Sequence, residues 1–250
     1  MSHIPYEIHD SDILPLRAAE LLARIAADAV EDRGVAHIAL SGGSTPRPLF
    51  KLLASPAWQD RVPWAHTHLW WVDERCVPPD DPNSNYGVAY ALLLQHLPVA
   101  ITHRIRGEES PWQAAYLYEK ELVEEFHLRP GAWPRFDLIL LGMGEDGHTA
   151  SLFPGTLALD DSEHRVTVGQ APSAPRERVS LTLPVLNHAA HVIFLVAGEK
   201  KGPALTAIFH EEGGEPPLPA SLVHPQHGCL LWLLDVAAGT AAGLSLLQHC

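Results

Sequence analysis

The chain has 250 residues, 46% of them hydrophobic and 19% charged. That composition suits a soluble globular protein with an ample core and excludes a largely disordered chain. Seventeen Lys and Arg against thirty Asp and Glu leave a formal net charge of −13. Such a chain repels phosphate backbones and anionic lipid, so nucleic acid and membrane surfaces are excluded as expected partners. An anionic small molecule remains open wherever a local basic cluster overcomes the global field.

Cys76, Cys229 and Cys250 are far apart and show no paired spacing, which argues against a disulfide scaffold and a zinc ribbon. The opening MSHIPYEIHDSD lacks the basic patch and apolar run of a secretory signal. No apolar stretch reaches the ~18 residues that a membrane helix needs. The expectation is a reduced, cytoplasmic protein, a single α/β domain over residues 1–250. No repeat period is visible. Gln170–Glu177 and Glu211–Ala220 read as loops.

Helix and strand alternate along the chain. Leu14–Glu31 carries an apolar helical stripe and is stopped by Gly34. Ala36–Leu40 is a short buried strand that runs into SGGS. Thr67–Val72 is a second strand. Asn85–Leu97 and Trp112–Phe126 are helical. Phe136–Leu141 is a third strand, again running into glycines. Arg178–Leu183 and His191–Ala197 are further strands. Lys200–Phe209 is a helix, Leu230–Leu234 a last strand and Val236–Gln248 a C-terminal helix. Apolar runs without alternation are what parallel strands covered on both faces look like. The pattern predicts a doubly wound, mostly parallel α/β sheet with helices on both faces. In such sheets ligands bind beyond the carboxyl ends of the strands.

Three strand ends carry chemistry. Ser41-Gly42-Gly43-Ser44-Thr45-Pro46 offers close backbone approach, hydroxyl donors and a helix start, which together suit a phosphate. It is neither a nucleotide-binding G-x-x-x-x-G-K loop nor a G-x-G-x-x-G fingerprint. Asp73-Glu74-Arg75 follows a strand with two tryptophans; Arg75 can grip a phosphate or carboxylate, or pair locally with the acids beside it. The run from Gly142 to Pro154 has three glycines in six residues and holds two carboxylates, Glu145 and Asp146, and His148. A carboxylate that orients one ring nitrogen while the other accepts a proton is the arrangement of a general base. Arg178 and the Lys200–Lys201 pair add positive charge near later element ends. His66 and His68 could share one strand face, but no third metal ligand is evident, and no H-E-x-x-H or spaced Cys/His set occurs. No metal site is expected.

The segments SGGSTP, WWVDERCVPPDDPNSNYG, FDLILLGMGEDGHTASLFPG, RVSLTLPVLN and VAGEKK occur in this order from about residue 36 to about residue 235. They resemble the ordered motifs of the 6-phosphogluconolactonases. The related glucosamine-6-phosphate isomerases and deaminases share the first glycine loop and a G-x-G-x-D-G-H segment. They usually read D-E-Y where this chain has Asp73-Glu74-Arg75, and A-F-N-E where it continues T-A-S-L-F-P.

The resemblance implies a Rossmann-like fold and hydrolysis of 6-phosphoglucono-1,5-lactone to 6-phosphogluconate in the pentose phosphate pathway, with no metal or organic cofactor. It implies His148 as general base held by Asp146. It implies a phosphate site from Gly42, Gly43, Ser44, Thr45, Arg75, Arg178 and Lys200, with Lys200 preferred to Lys201. Backbone N–H groups of the Gly142–Gly147 loop are candidates for the oxyanion. A serine nucleophile is disfavoured, since no G-x-S-x-G elbow is present. The expected partner is a phosphorylated lactone; oligomeric state stays open. Two competing readings are a sugar-phosphate isomerase or deaminase on the same scaffold and a non-catalytic sugar-phosphate sensor. The sensor would need a DNA-binding module for which this acidic chain has no spare length.

Overall fold

The structure is a computed structural model that describes residues 4–99, 101–210 and 216–245. In chain order these form β1 (Tyr6–His9), α1 (Leu14–Arg33), β2 (Ala36–Leu40), α2 (Arg47–Leu53), β3 (Thr67–Trp71), β4 (Asp73–Arg75), α3 (Asn85–Leu92), β5 (Ile101–His103) and α4 (Pro111–Glu125). Then follow β6 (Leu138–Leu141), α5 (Leu157–Asp160), β7 (Val166–Gln170), β8 (Glu177–Leu181), α6 (Leu183–Leu186), β9 (His191–Val196), α7 (Gly202–Phe209), β10 (Cys229–Asp235) and α8 (Val236–Ala241).

Seven strands make one sheet in the order β1-β10-β9-β6-β2-β3-β5, and every pair in it is parallel. The apolar runs of β2, β3, β6, β9 and β10 explain why: their residues are buried almost throughout, as strands covered on both faces require. From β2 the chain winds outward through β3 to β5. It then returns to the other side of β2 and winds outward through β6, β9 and β10. Right-handed crossovers in two opposite directions put helices on opposite faces. The direction reverses between β2 and β6, and at such a switch the loops diverge and leave a crevice.

A second, three-stranded sheet, β4-β8-β7, is antiparallel. Here the structure departs from the sequence reading. Asp73–Arg75 is itself a strand, and the strand starting near Arg178 belongs with it, outside the parallel sheet. The Gln170–Glu177 loop is the connection of the β7–β8 hairpin, whose last ladder pair is Gln170 with Glu177. The strands β1, β5 and β7 were not evident in the sequence. Asn85–Leu97 splits into α3 and a 3-10 turn at Leu94–His96. The C-terminal helix ends at Ala241; the rest of its expected span to Gln248 falls partly outside the described residues, as do Glu211–Glu215 of the expected loop and Cys250.

The core is aromatic as well as aliphatic. Trp70 stacks on His103 at 3.7 Å, and Phe194 on Trp232 at 3.9 Å. Gly34 ends α1 as expected, at φ +78° with its N–H on the Val30 carbonyl. No helix among the described residues is long and apolar enough to cross a membrane.

Arg17 of α1 clamps Glu7 of β1 through two hydrogen bonds, of 2.7 and 2.8 Å. The Arg17 guanidinium pulls the Glu7 carboxyl down to about 2 from its ordinary 4.5. Glu7 is therefore harder to protonate folded than unfolded. The contact stabilises the fold above about pH 4.5, and its contribution is lost as the pH falls towards 2. Both side chains are partly exposed, so solvent screening limits the effect to ~1 kcal/mol or less. Arg17→Met should lower the urea midpoint at pH 7, and the gap to the parent should close near pH 2.

Candidate active site

The crevice between the loops after β2 and β6 opens into a cleft of about 340 Å³, bounded on one side by the small sheet. Its lining includes Gly42, Gly43, Ser44, Thr45, Arg75, Asn85, Gly144, His148, Ser151, Arg178 and Lys201. That volume lies within the range of small-molecule sites.

The loop after β6 shapes the reactive end. His148 Nδ1 lies 2.5 Å from Asp146 Oδ1, and the same oxygen accepts the His148 backbone N–H at 3.2 Å. Two bonds to one oxygen fix the ring against the carboxylate. The hydrogen bond from His148 holds the Asp146 carboxyl below its usual range, so the carboxylate is charged whenever the ring needs orienting. With Nδ1 occupied, Nε2 is left for a substrate or a water. The ring also packs against Phe153 at 4.4 Å.

Gly144 makes this geometry possible. A Cβ there would lie 2.1 Å from His148 Nδ1 and 2.4 Å from Asp146 Oδ1. Gly144→Ala should therefore push the pair apart. We expect turnover to fall at least ~100-fold, the scale of losing a positioned general base, with circular dichroism unchanged. Near-normal turnover would mean that the pair tolerates displacement.

The cleft also carries cationic side chains. Arg75 and Arg178 are directly paired across β4 and β8. Like charges in that register repel. Neither side chain has a carboxylate hydrogen-bond partner among the described residues: Arg75 Nη1 donates to the Asn83 carbonyl at 2.6 Å, while Arg75 Nε and Arg178 Nη1 are buried with no partner. Burial, and then the Arg75 charge, push the Arg178 guanidinium below its ordinary range. Buried, unpartnered cationic donors facing a cavity make an anion site. Local pairing of Arg75 with its own neighbours does not occur. Glu74 is instead buried beneath α3, where it accepts from Ser84 Oγ and from the backbone N–H groups of Arg75, Asn85 and Tyr86.

Glucosamine-6-phosphate isomerases/6-phosphogluconolactonase is the family whose model matches residues 9–232. The chain belongs to that family. It is 43% identical over 233 residues to the 6-phosphogluconolactonase of Synechocystis sp., an alignment covering 92% of this chain and 94% of the relative. It is 41% identical to the 6-phosphogluconolactonase of Haemophilus influenzae, over 81% of this chain and 85% of the other. The solved structure of 6-phosphogluconolactonase from Trypanosoma cruzi superposes with a TM-score of 0.84 at 29% identity, covering 96% of this chain and 97% of that one. The doubly wound α/β fold is thus the family's own.

Within this family member, the cleft gathers nearly all the residues singled out in the sequence. Gly42, Gly43, Ser44, Thr45, Arg75, Arg178 and His148 line it, and Asp146 is hydrogen-bonded to His148. The exception is Lys200. It is exposed and does not line the cleft, whereas Lys201 does. Gly198, at φ +98°, starts a 3-10 turn over Glu199–Lys201, and that turn carries Lys201 round to the site. Burial lowers the Lys201 ammonium, opposed by the charges of Glu145 and Asp146. The oxyanion candidates are also narrowed: the Gly144 N–H is spent on the His148 carbonyl, and that of Gly147 on Gly144.

The sequence reading missed a further polar group in the cleft. Ser151 Oγ donates to Asp73 Oδ2 at 2.7 Å, and Asn85 Nδ2 donates to the Asp73 carbonyl at 2.8 Å. Asn85 Oδ1 and Ser41 Oγ are buried without partners. Gly42 admits Asn85: a Cβ there would fall 1.8 Å from its Oδ1. Asn85 lay inside the NSNYG segment, but only the fold brings it against the first glycine loop. Cys76, beside Arg75, is passive; burial pushes its thiol up to about 11.

Proposed function

We propose that the chain hydrolyses 6-phosphoglucono-1,5-lactone to 6-phosphogluconate, the second step of the oxidative pentose phosphate pathway. One observation carries the reading. An arginine pair, Arg75 and Arg178, whose side chains form no ion pair among the described residues, shares a single cleft with the His148–Asp146 pair. A phosphate at the arginines leaves the far end of the sugar at the histidine. The names of the relatives support the same substrate.

In this reading His148 Nε2 takes a proton from a water molecule while Asp146 steadies the ring through Nδ1. The hydroxide attacks the lactone carbonyl carbon. The tetrahedral adduct collapses by breaking the bond to the ring oxygen, and His148 returns its proton to that oxygen. Arg75, Arg178, Lys201 and the Gly43-Ser44-Thr45 segment hold the phosphate. The N–H groups of that segment have no intramolecular acceptor among the described residues. Phosphate anchoring then contributes orientation at the reacting carbon, which lies several bonds away from the phosphorus.

The test is hydrolysis of freshly made 6-phosphogluconolactone, coupled to 6-phosphogluconate dehydrogenase and compared with the spontaneous rate. Glucosamine 6-phosphate is run in parallel with ammonia detection. Acceleration of the lactone reaction alone is the expected result. Ammonia release without lactone hydrolysis would move the chain to the deaminase branch of the family.

A further inference from the structure

A second cluster of ligating side chains lies near the amino ends of the central strands, on the far side of the sheet's length from the cleft. His37 of β2 and His68 of β3 are direct ladder partners, with ring centroids 5.0 Å apart and edge to face. The last turn of α4 brings Glu125 Oε1 to 3.1 Å from His68 Nδ1. One ring nitrogen from each histidine and one Glu125 oxygen all lie within 4.8 Å of one another. The sequence offered His66 and His68 with no third ligand; His66 lies in a 3-10 turn before β3 and outside the cluster, and β2 and the end of α4 supply the other two groups.

The two histidines are not hydrogen-bonded to each other, while His68 Nδ1 pairs with Glu125 Oε1. His37 Nδ1 accepts only from Trp70 Nε1, at 3.2 Å. His68 Nδ1 meets His103 Nε2 at 3.1 Å, and His103 Nδ1 meets Glu121 at 2.7 Å. The His103 contact falls on the same nitrogen that faces Glu125, so an ion held at His68 Nδ1 replaces it. Three potential ligand groups thus converge, linked to one another only by the His68–Glu125 contact.

We propose that His37, His68 and Glu125 form a binding site for a divalent transition-metal cation of the Zn²⁺ type, with a fourth position left to water. The donor set suits that class. Ligands at ~2.0–2.1 Å from a tetrahedral ion stand a little over ~3 Å apart, close to the His68–Glu125 separation and requiring a modest inward turn of His37. Burial keeps His37 neutral, with its proton affinity down at about 3, and lowers His68 as well; the neutral ring is the form that ligates. Glu125 is about one-third exposed and gives the ion a way in. His37 and His68 are second residues of five-residue strands, so at ~3.3 Å per residue the site lies well away from the catalytic loops. The ion would pin the end of α4 to β2 and β3, a structural role.

Binding has a built-in reporter. If His37 ligates through Nδ1, Trp70 loses its acceptor. If it ligates through Nε2, the proton moves to Nδ1 and faces the indole N–H, donor against donor. Either way the Trp70 hydrogen bond breaks. Chelator-treated full-length protein titrated with ZnCl₂ should show one saturable site by calorimetry, a change in tryptophan emission with the same midpoint, and a raised Tm. Glu125→Gln, at a partly exposed position, and His68→Gln should each weaken that site ~100-fold or more. His148→Ala, which removes the histidine–carboxylate pair of the cleft, should leave it unchanged. No saturable binding, binding indifferent to both cluster variants, or binding lost with His148→Ala would overturn the proposal.

Discussion

His148→Ala is expected to lower kcat by ~10²–10⁴-fold, the range that a positioned general base supplies, while the protein stays folded. The ring is only half-buried, and its packing is confined to Phe153 among the aromatic contacts, so the stability cost should stay within ~1 kcal/mol. KM should change little, because the phosphate contacts lie elsewhere in the cleft. Asp146→Asn is the sharper companion. It preserves volume but can offer an N–H to Nδ1, which would hold the ring in the wrong tautomer. Its kcat should fall by a comparable factor. A folded His148→Ala protein that turns over near normally would remove His148 from the chemistry; a normal Asp146→Asn with an inactive His148→Ala would reduce Asp146 to a surface contact.

Arg178→Met should move binding and stability in opposite directions. Truncating a buried charge that meets a dianion costs on the order of 2–5 kcal/mol, at least ~30-fold in KM. The free protein carries a different ledger. Arg178 is buried, faces Arg75 across the ladder and leaves Nη1 without an acceptor. Methionine fills similar space without charge, so the Tm of the substrate-free variant should hold or rise. Functional sites commonly carry such a stability cost. Inorganic phosphate should raise the parent's Tm and fail to raise the variant's. Arg75→Met separates two roles for its neighbour. A higher KM with unchanged kcat places Arg75 at the phosphate, whereas a lower kcat with unchanged KM places it at the reacting carbon. A clear fall in the Tm of substrate-free Arg178→Met would show that the arginine is structural.

The fold was legible where burial writes itself into composition. The runs AHIAL, LILL and HVIFLV can only be strands covered on both faces. The edge strands could not be read that way. In ITH of β5, Ile101 is 46% exposed, and YEIH of β1 carries a surface ion pair on Glu7; neither shows an apolar run. The candidate site divides along the same line. Glycine loops at strand ends announce themselves, because close backbone approach restricts the residue type. The meeting of Arg75 with Arg178 depends on antiparallel pairing across about a hundred residues, and no local spacing encodes it. Lys200 and Lys201 differ by one step of a 3-10 turn, a phase that composition does not set.

The edge pairing of β1 has a consequence for how the chain is made. Among the described strands β1 forms ladder contacts with β10 alone, so it must wait for a segment some 220 residues further along the chain before it has a partner. Parallel pairing over such a separation is slow, because closure of the long loop comes before its reward. The central strands can assemble on the ribosome without β1. During that interval the exposed edge of β9 is the surface open to aggregation, and the arrival of residues 229–235 closes it.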